Sequence, residues 1–327
     1  MEIRPATPHD LDALLAFPVD AAVGSVEPQR LREELGAGRL RWSWTWLAVD
    51  DDGALVGRAL WWGRADSTAP LALDWLDVFE TVPDRPRVAT ALLDRGHHAL
   101  AGDDRRHPVG PQPYELVLPR RWCEDPAAVD AVAWRTQAAA AAGLDHQLER
   151  LQYEWHPGAG VPAASGRLRF RDGTEEEFLE VFEQVAVGTL DDMTLRSLAE
   201  MDPAAQARDD YDFYLSCPGE RDWWRIATTP EGESVGFVVP SATPYARNVG
   251  YLGVLPAHRG LGLVDDLLAE VTRFHATAGA ERITATTDTT NAPMAAAFDR
   301  AGYRVTEIRL VLEARHNAIA PTQEVAP

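Results

Sequence analysis

The stretch His156-Pro-Gly-Ala-Gly-Val-Pro-Ala-Ala-Ser-Gly166 limits the fold more than any other part of the sequence. Its prolines and glycines interrupt helix and strand alike, and no apolar period crosses it. It divides 327 residues almost in half, which predicts a domain over 1–156, a linker over 157–166, a second domain over 167–315 and a loose tail over 316–327. Either half is long enough to bury its own core.

The elements expected on the two sides of the break follow a similar order. In the first half a helical stretch from Asp10 to Phe17 leads to an aromatic strand, Trp42 to Val49, a turn at Asp50-Asp-Asp-Gly53 and a second strand, Leu55 to Trp62. In the second, Arg167 to Arg171 alternates as a strand does, and Thr174 with Glu177 forms a capping box for a helix through Gln184. A hairpin over 223–240, a strand at Val249 to Val254, a helix at Leu261 to Ala278, a strand at Arg282 to Thr287, a helix at Ala292 to Ala301 and a strand to Glu313 complete it. This order implies an α/β fold in which a mixed sheet carries helices on its faces, and its recurrence suggests duplication.

Charge narrows the function. With 51 acidic against 31 basic residues the net charge is −20, the reverse of what a nucleic-acid surface needs. Small cationic substrates are favoured instead, although solubility explains the same acidity. All the basic residues are arginine, and nothing mechanistic follows from that. No apolar run of about 18 residues is long enough to span a membrane. The N-terminal stretch, with Glu2, Asp10 and Asp12, does not read as a secretory leader, so a cytoplasmic location is expected. Cys123 and Cys217, one in each half, read as free thiols, and no His/Cys cluster has the spacing of a metal site.

Chemistry concentrates in Gly250-Tyr-Leu-Gly-Val-Leu-Pro-Ala-His-Arg-Gly-Leu-Gly-Leu-Val264, which reads as a strand, a turn and a glycine loop opening a helix. Such a loop leaves backbone N–H groups free at the positive end of a helix dipole. Gly260 and Gly262 have no side chain to block a pyrophosphate, and Arg259 adds positive charge. His258, beside the loop, is either a phosphate contact or a surface turn residue.

These residues resemble the pyrophosphate loop of the GNAT superfamily of acyl-CoA-dependent N-acetyltransferases, which runs Arg or Gln, two residues, Gly, one residue, Gly or Ala. Arg259 and Gly262 fit the pattern, whereas Val264 stands where Gly or Ala is usual. Asn291 before a helix, and the ending Phe298-Asp-Arg-Ala-Gly-Tyr303, are similar to later motifs of the same family. The resemblance covers roughly Arg167 to Glu313 and implies two tandem GNAT-like domains, the first a degenerate copy. It further implies acetyl-CoA as donor and the amine of a small molecule as acceptor, the chain acting as a monomeric pseudo-dimer or a homodimer. Carried over by position, the cofactor contacts are Leu252, Val254, Leu255, Arg259, Gly260, Leu261, Gly262, Leu263, Val264, Asn291 and Phe298.

Direct attack by an amine needs a base for its proton and an acid for the leaving sulfur. Where many relatives place a tyrosine acid this chain has Phe298, and the strand before the loop lacks the family's glutamate. Tyr303 and Asp288 are the nearest replacements, with core packing and helix capping as the alternatives. A non-catalytic acyl-CoA sensor or scaffold is the rival reading. Asp191, Asp192, Asp209, Asp210 and Asp212 fall in the region that forms acceptor walls in relatives, and helix surface is their other reading.

In the first half, Leu73 to Phe79 takes the central strand position and Asp84 to Thr90 that of the loop. Both glycines are missing there and Pro86 removes an amide donor, so the half is expected not to catalyse. Trp42, Trp44 and Trp46 alternate and are expected to share one sheet face, as core or interface. Asp103 to His107 reads as a solvated loop, and His97 and His98 have no partners at metal-ligand spacing.

Overall fold

A computed structural model describes residues 1–101 and 111–315. The Asp103 to His107 stretch and the tail beyond Arg315 lie outside the described residues. The chain forms two compact units, one of Met1–Glu149 with the last strand from Glu307 on, the other of Arg150–Thr306. They part at 149/150 and 306/307 rather than within 157–166. Pro157–Ala159 is a single 3₁₀ turn inside the second unit, where Ala159 packs on Gly302.

The first unit contains β1 (Glu2–Pro5), α1 (Leu11–Leu15), α2 (Pro28–Gly36), β2 (Thr45–Val49), β3 (Leu55–Trp62), β4 (Ala72–Val78), α3 (Arg85–Leu100), β5 (Tyr114–Pro119), α4 (Pro126–Ala141) and the start of β6 (His146–Trp155). Strands β1 to β4 pair antiparallel in order. Strand β4 meets β5 in parallel only at Leu73↔Tyr114, so the sheet forks there. Leu14, Leu31, Leu47, Leu60 and Trp75 centre its core. At the fork the sheet also buries ions. Arg58 Nε donates to Asp77 at 2.9 Å and Arg135 reaches the same carboxylate at 3.3 Å, while Leu14 and Leu76 carbonyls accept from the two guanidiniums. Trp42-Ser-Trp44 is a 3₁₀ turn and the strand starts at Thr45, so the three tryptophans do not share a face as their alternation predicts. The turn is held by the Trp44 amide bonding to the Arg41 carbonyl.

The second unit repeats the order with one more helix before its second strand: β7 (Arg169–Arg171), α5 (Glu175–Ala186), α6 (Asp192–Ser197), α7 (Pro203–Ser216), β8 (Arg225–Thr228), β9 (Ser234–Ala242), β10 (Arg247–Val254), α8 (Leu263–Thr277), β11 (Ile283–Asp288), α9 (Ala292–Arg300) and β12 (Arg304–Glu313). The capping box at Thr174 and Glu177 is formed. Final strands are exchanged between the units. Residues 150–155 of β6 lie antiparallel to β11, and Glu307 to Leu312 of β12 lie antiparallel to β5. Two cores cover the second sheet. Val249, Leu267, Leu268, Val271 and Phe298 belong to the one under α8 and α9, and Phe178, Phe182, Phe237 and Tyr211 to the one under α5 and α7.

Candidate functional site

The site begins where β10 leaves β11. The two strands are in parallel register only at Arg247↔Ile283 and Asn248↔Thr284. Asn248 Nδ2 locks that end by donating to the Thr284 carbonyl at 3.1 Å and its hydroxyl at 2.9 Å. Gly250 follows in the left-handed region, φ 72°, and a Cβ there would lie 2.0 Å from the Val239 carbonyl oxygen. Only glycine fits, and a register shift between Asn248 and Tyr251 results. Beyond it β10 stays on β9, with the Leu255 amide donating to Val235 at 2.9 Å. Because antiparallel bonding alternates, Leu252 and Val254 turn their main-chain groups toward the side β11 has left.

The loop comes next. Pro256–His258 is a 3₁₀ turn, and Gly260 and Gly262 have φ 78° and 70° with nothing within 4 Å of a Cβ added at either. Gly262 is the N-cap of α8 and offers no side-chain cap, and Leu261 is 60% exposed. Among the described residues, the amides from Gly260 to Val264 donate no backbone hydrogen bond. Their carbonyls are held from behind: Arg167 donates to the Leu261 and Gly262 oxygens at 3.0 and 3.1 Å and pairs with Asp266. Arg300 pairs with Asp265 at 2.7 Å, so both carboxylates of the first helical turn are matched. A helix N-terminus with free amides in open space fits a pyrophosphate. Val264 packs against the core of α8 and α9, which absorbs its bulk.

Arg259 does not reach into this cradle. Its guanidinium donates to the Val254, Val185, Val187 and Gly188 carbonyls at 2.8–3.2 Å. It thus caps the C-terminal end of α5, where a cation opposes the dipole, and ties the loop to the segment leading into α6. His258 lies 3.4 Å from Glu233.

The proton-handling candidates are placed differently from the sequence-based expectation. Tyr303 is fully buried and its hydroxyl shares a 2.8 Å hydrogen bond with Thr272, while burial pushes the phenol well above its ordinary range. Phe298 is 2% exposed and stacks on Tyr153 at 4.7 Å. Both are core residues, because the motif's aromatic spacing turns them under α9 and β12. Asp288 is 1% exposed at the end of β11, and both oxygens are engaged, one by Arg150 Nε at 2.9 Å and the other by the Asp192 amide at 2.8 Å. Burial raises its pKa despite those partners. Asp288 therefore anchors the start of α6. Asn291 caps α9, accepting from the Met294 amide at 3.3 Å.

Sequence reading passed over two neighbours of the fork, Tyr251 and Tyr214, and took Asp210 only as an acceptor-wall or helix-surface residue. Tyr251, just past the bulge, stacks on Tyr214 of α7 at 5.4 Å and 13°, and Asp210 precedes Tyr214 by one turn. The four-residue spacing was the available signal.

Residues 191–303, which include β10, the loop, α8 and α9, match the acetyltransferase (GNAT) family. No curated protein matches the chain. A GCN5-related N-acetyltransferase from Sphaerobacter thermophilus is similar over 98% of this chain and 98% of its own, at 16% identity and a TM-score of 0.59. A glucosamine N-acetyltransferase region of a fungal multi-domain GH3 β-N-acetylglucosaminidase is similar over 95% of this chain and 38% of that one, at 13% identity and a TM-score of 0.52. At such identities the likeness establishes the fold, which is GNAT-like along nearly the whole chain. The family match itself is confined to residues 191–303 of the second unit, and along the rest of the chain the likeness is one of fold.

Proposed function

We propose that the second unit holds acetyl-CoA and transfers its acetyl group to the amine of a small molecule. The observation that carries this reading is the row of unpaired amides from Gly260 to Val264 beside a strand that has parted from β11. The loop amides would hold the pyrophosphate, and the Leu252 main-chain groups with the Val254 amide would hold the pantetheine arm. When bound, the donor supplies a thioester carbonyl that an amine can attack. The fold's share is proximity, since holding amine and thioester together removes most of the entropic barrier.

In this reading the first unit does not bind the donor. Asp84 fills the start of α3 with its own carboxylate, accepting from the Arg87 amide at 3.2 Å, and Pro86 has no amide to offer.

Calorimetry with CoA, and thiol release from acetyl-CoA mixed with a panel of amines, test the reading together. Binding with release on at least one amine is expected. Binding without release on any amine replaces this reading with the sensor or scaffold, and absence of binding removes both.

A further inference from the structure

The buried positions of Tyr303 and Phe298, and the engaged oxygens of Asp288, leave the reaction without a base or an acid at the places the family pattern suggests. Helix α7 has both kinds of group on one face. Asp210 and Tyr214 are one turn apart and half-buried, while Asp209 and Asp212 of the same helix are exposed. Tyr214 lies flat on Tyr251, and Tyr251 is the first residue past the bulge at which β10 parts from β11. The face of α7 that bears these two side chains is therefore turned toward the fork, on the sheet side opposite α8. Gln206 Nε2 fixes the Asp210 carboxyl by donating to Oδ1 at 2.8 Å, leaving Oδ2 for another partner.

We propose, resting on the acetyltransferase reading above, that Asp210 is the base for the acceptor amine and Tyr214 the acid for the leaving sulfur. As the amine nitrogen bonds to the thioester carbonyl carbon, Asp210 accepts the proton that nitrogen sheds. As the carbon–sulfur bond breaks, Tyr214 donates its phenolic proton to sulfur. The proton on Asp210 then restores Tyr214 one turn away, so amine and acetyl-CoA give amide and free thiol with nothing left over.

The surroundings suit these roles. Burial, and then the neighbouring Asp191 and Asp209, push Asp210 up to about 6 against the pull of Gln206, so the carboxyl is ionised at neutral pH and only just so. That is where a base is most effective. Burial and the Asp210 charge keep the phenols of Tyr214 and Tyr251 protonated far above neutrality. The charged groups facing the pair are Asp191 at the cap of α6 and Arg150 of β6, the latter bonded to Asp288 of β11. Asp191 is itself engaged, capping α6 through Thr194 and pairing with Arg150 at 3.7 Å, so Asp210 keeps the carboxylate oxygen open to the amine.

The test uses the full chain with the amine of the panel that gives the fastest thiol release. Asp210→Asn should lower kcat about a hundredfold or more and erase the fall in rate below about pH 6. CoA affinity by calorimetry should stay within about twofold of the unchanged chain, since Asp210 takes no part in the loop. Asp210→Glu should recover part of the rate, Tyr214→Phe should cost about tenfold, and Asp212→Asn should cost nothing. A kcat for Asp210→Asn within about threefold of the parent, or an acid limb that survives the change, overturns the assignment while leaving the acetyltransferase reading intact. A chain that binds CoA yet acetylates no amine overturns both.

Discussion

Helices α3 and α8 occupy the same place in their units, each following the strand at which the sheet forks, and they agree at one end and differ at the other. Twelve residues past its first residue, each has a buried histidine against a tryptophan: His97 with Trp61 at 5.5 Å, His275 with Trp223 at 5.9 Å. At the N-terminus α3 satisfies itself with Asp84 and Pro86, whereas α8 starts from an uncapped glycine. The packing end is common property and the anion-facing end is not. Both units share what packs the helix, and among the described residues the second alone has, at that helix start, the open amides that a phosphate requires.

The shared end makes the larger prediction. Burial lowers both histidines from 6.5 to about 4, against the hydrogen bonds that favour charge. A neutral buried histidine stabilises fully above its unfolded pKa, and that contribution is lost as pH falls from 6.5 toward 4 while the unfolded chain takes up the proton. The loss amounts to about 3 kcal/mol for each histidine. Denaturant unfolding at several pH values should show it, and His97→Gln and His275→Gln should each flatten the slope by a similar amount. A flat slope in only one of them would mean the two ends are not equivalent.

The differing end comes next. Gly262→Asp puts a carboxylate at the start of α8, as Asp84 does at the start of α3, and at φ 70° aspartate is among the few residues that tolerate the backbone. CoA affinity should fall about a hundredfold, or about 2.8 kcal/mol, through the added charge and the side chain placed in the open cradle. Calorimetry measures it, and unchanged affinity would show that the contrast between the two N-termini is not what separates the units.

The strand, loop and helix from Val249 to Thr277 were legible because glycine, proline and helical apolar spacing act locally. The exchanged final strands were not, since β6 and β12 have no sequence feature that names a partner, and the Pro/Gly run at 156–166 holds a 3₁₀ turn inside the second unit. The tryptophans of 42–46 were misread because alternation alone does not distinguish a strand from a 3₁₀ turn entering one. Around the fork, the missing signal was tertiary. Arg167 and Arg150 lie far along the chain from the groups they hold, and the worth of Asp210 depends on burial beneath a helix that sequence reads as solvated surface.

Arg259 provides the smallest effect and the sharpest contrast between sequence and structure. Read as sequence, it is a phosphate contact, and its loss would weaken CoA as severely as closing the cradle does. In the fold four of its hydrogen bonds go to carbonyls of the α5 end and of Val254. Arg259→Ala should then cost about 1 kcal/mol of stability, because the bonds are made near the surface, and lower CoA affinity less than about tenfold. Hydrogen exchange at 185–191 should quicken, since that segment loses its tether to the loop. The converse outcome, a hundredfold loss of CoA with exchange unchanged, would return the side chain to the phosphate and make the open amides insufficient by themselves.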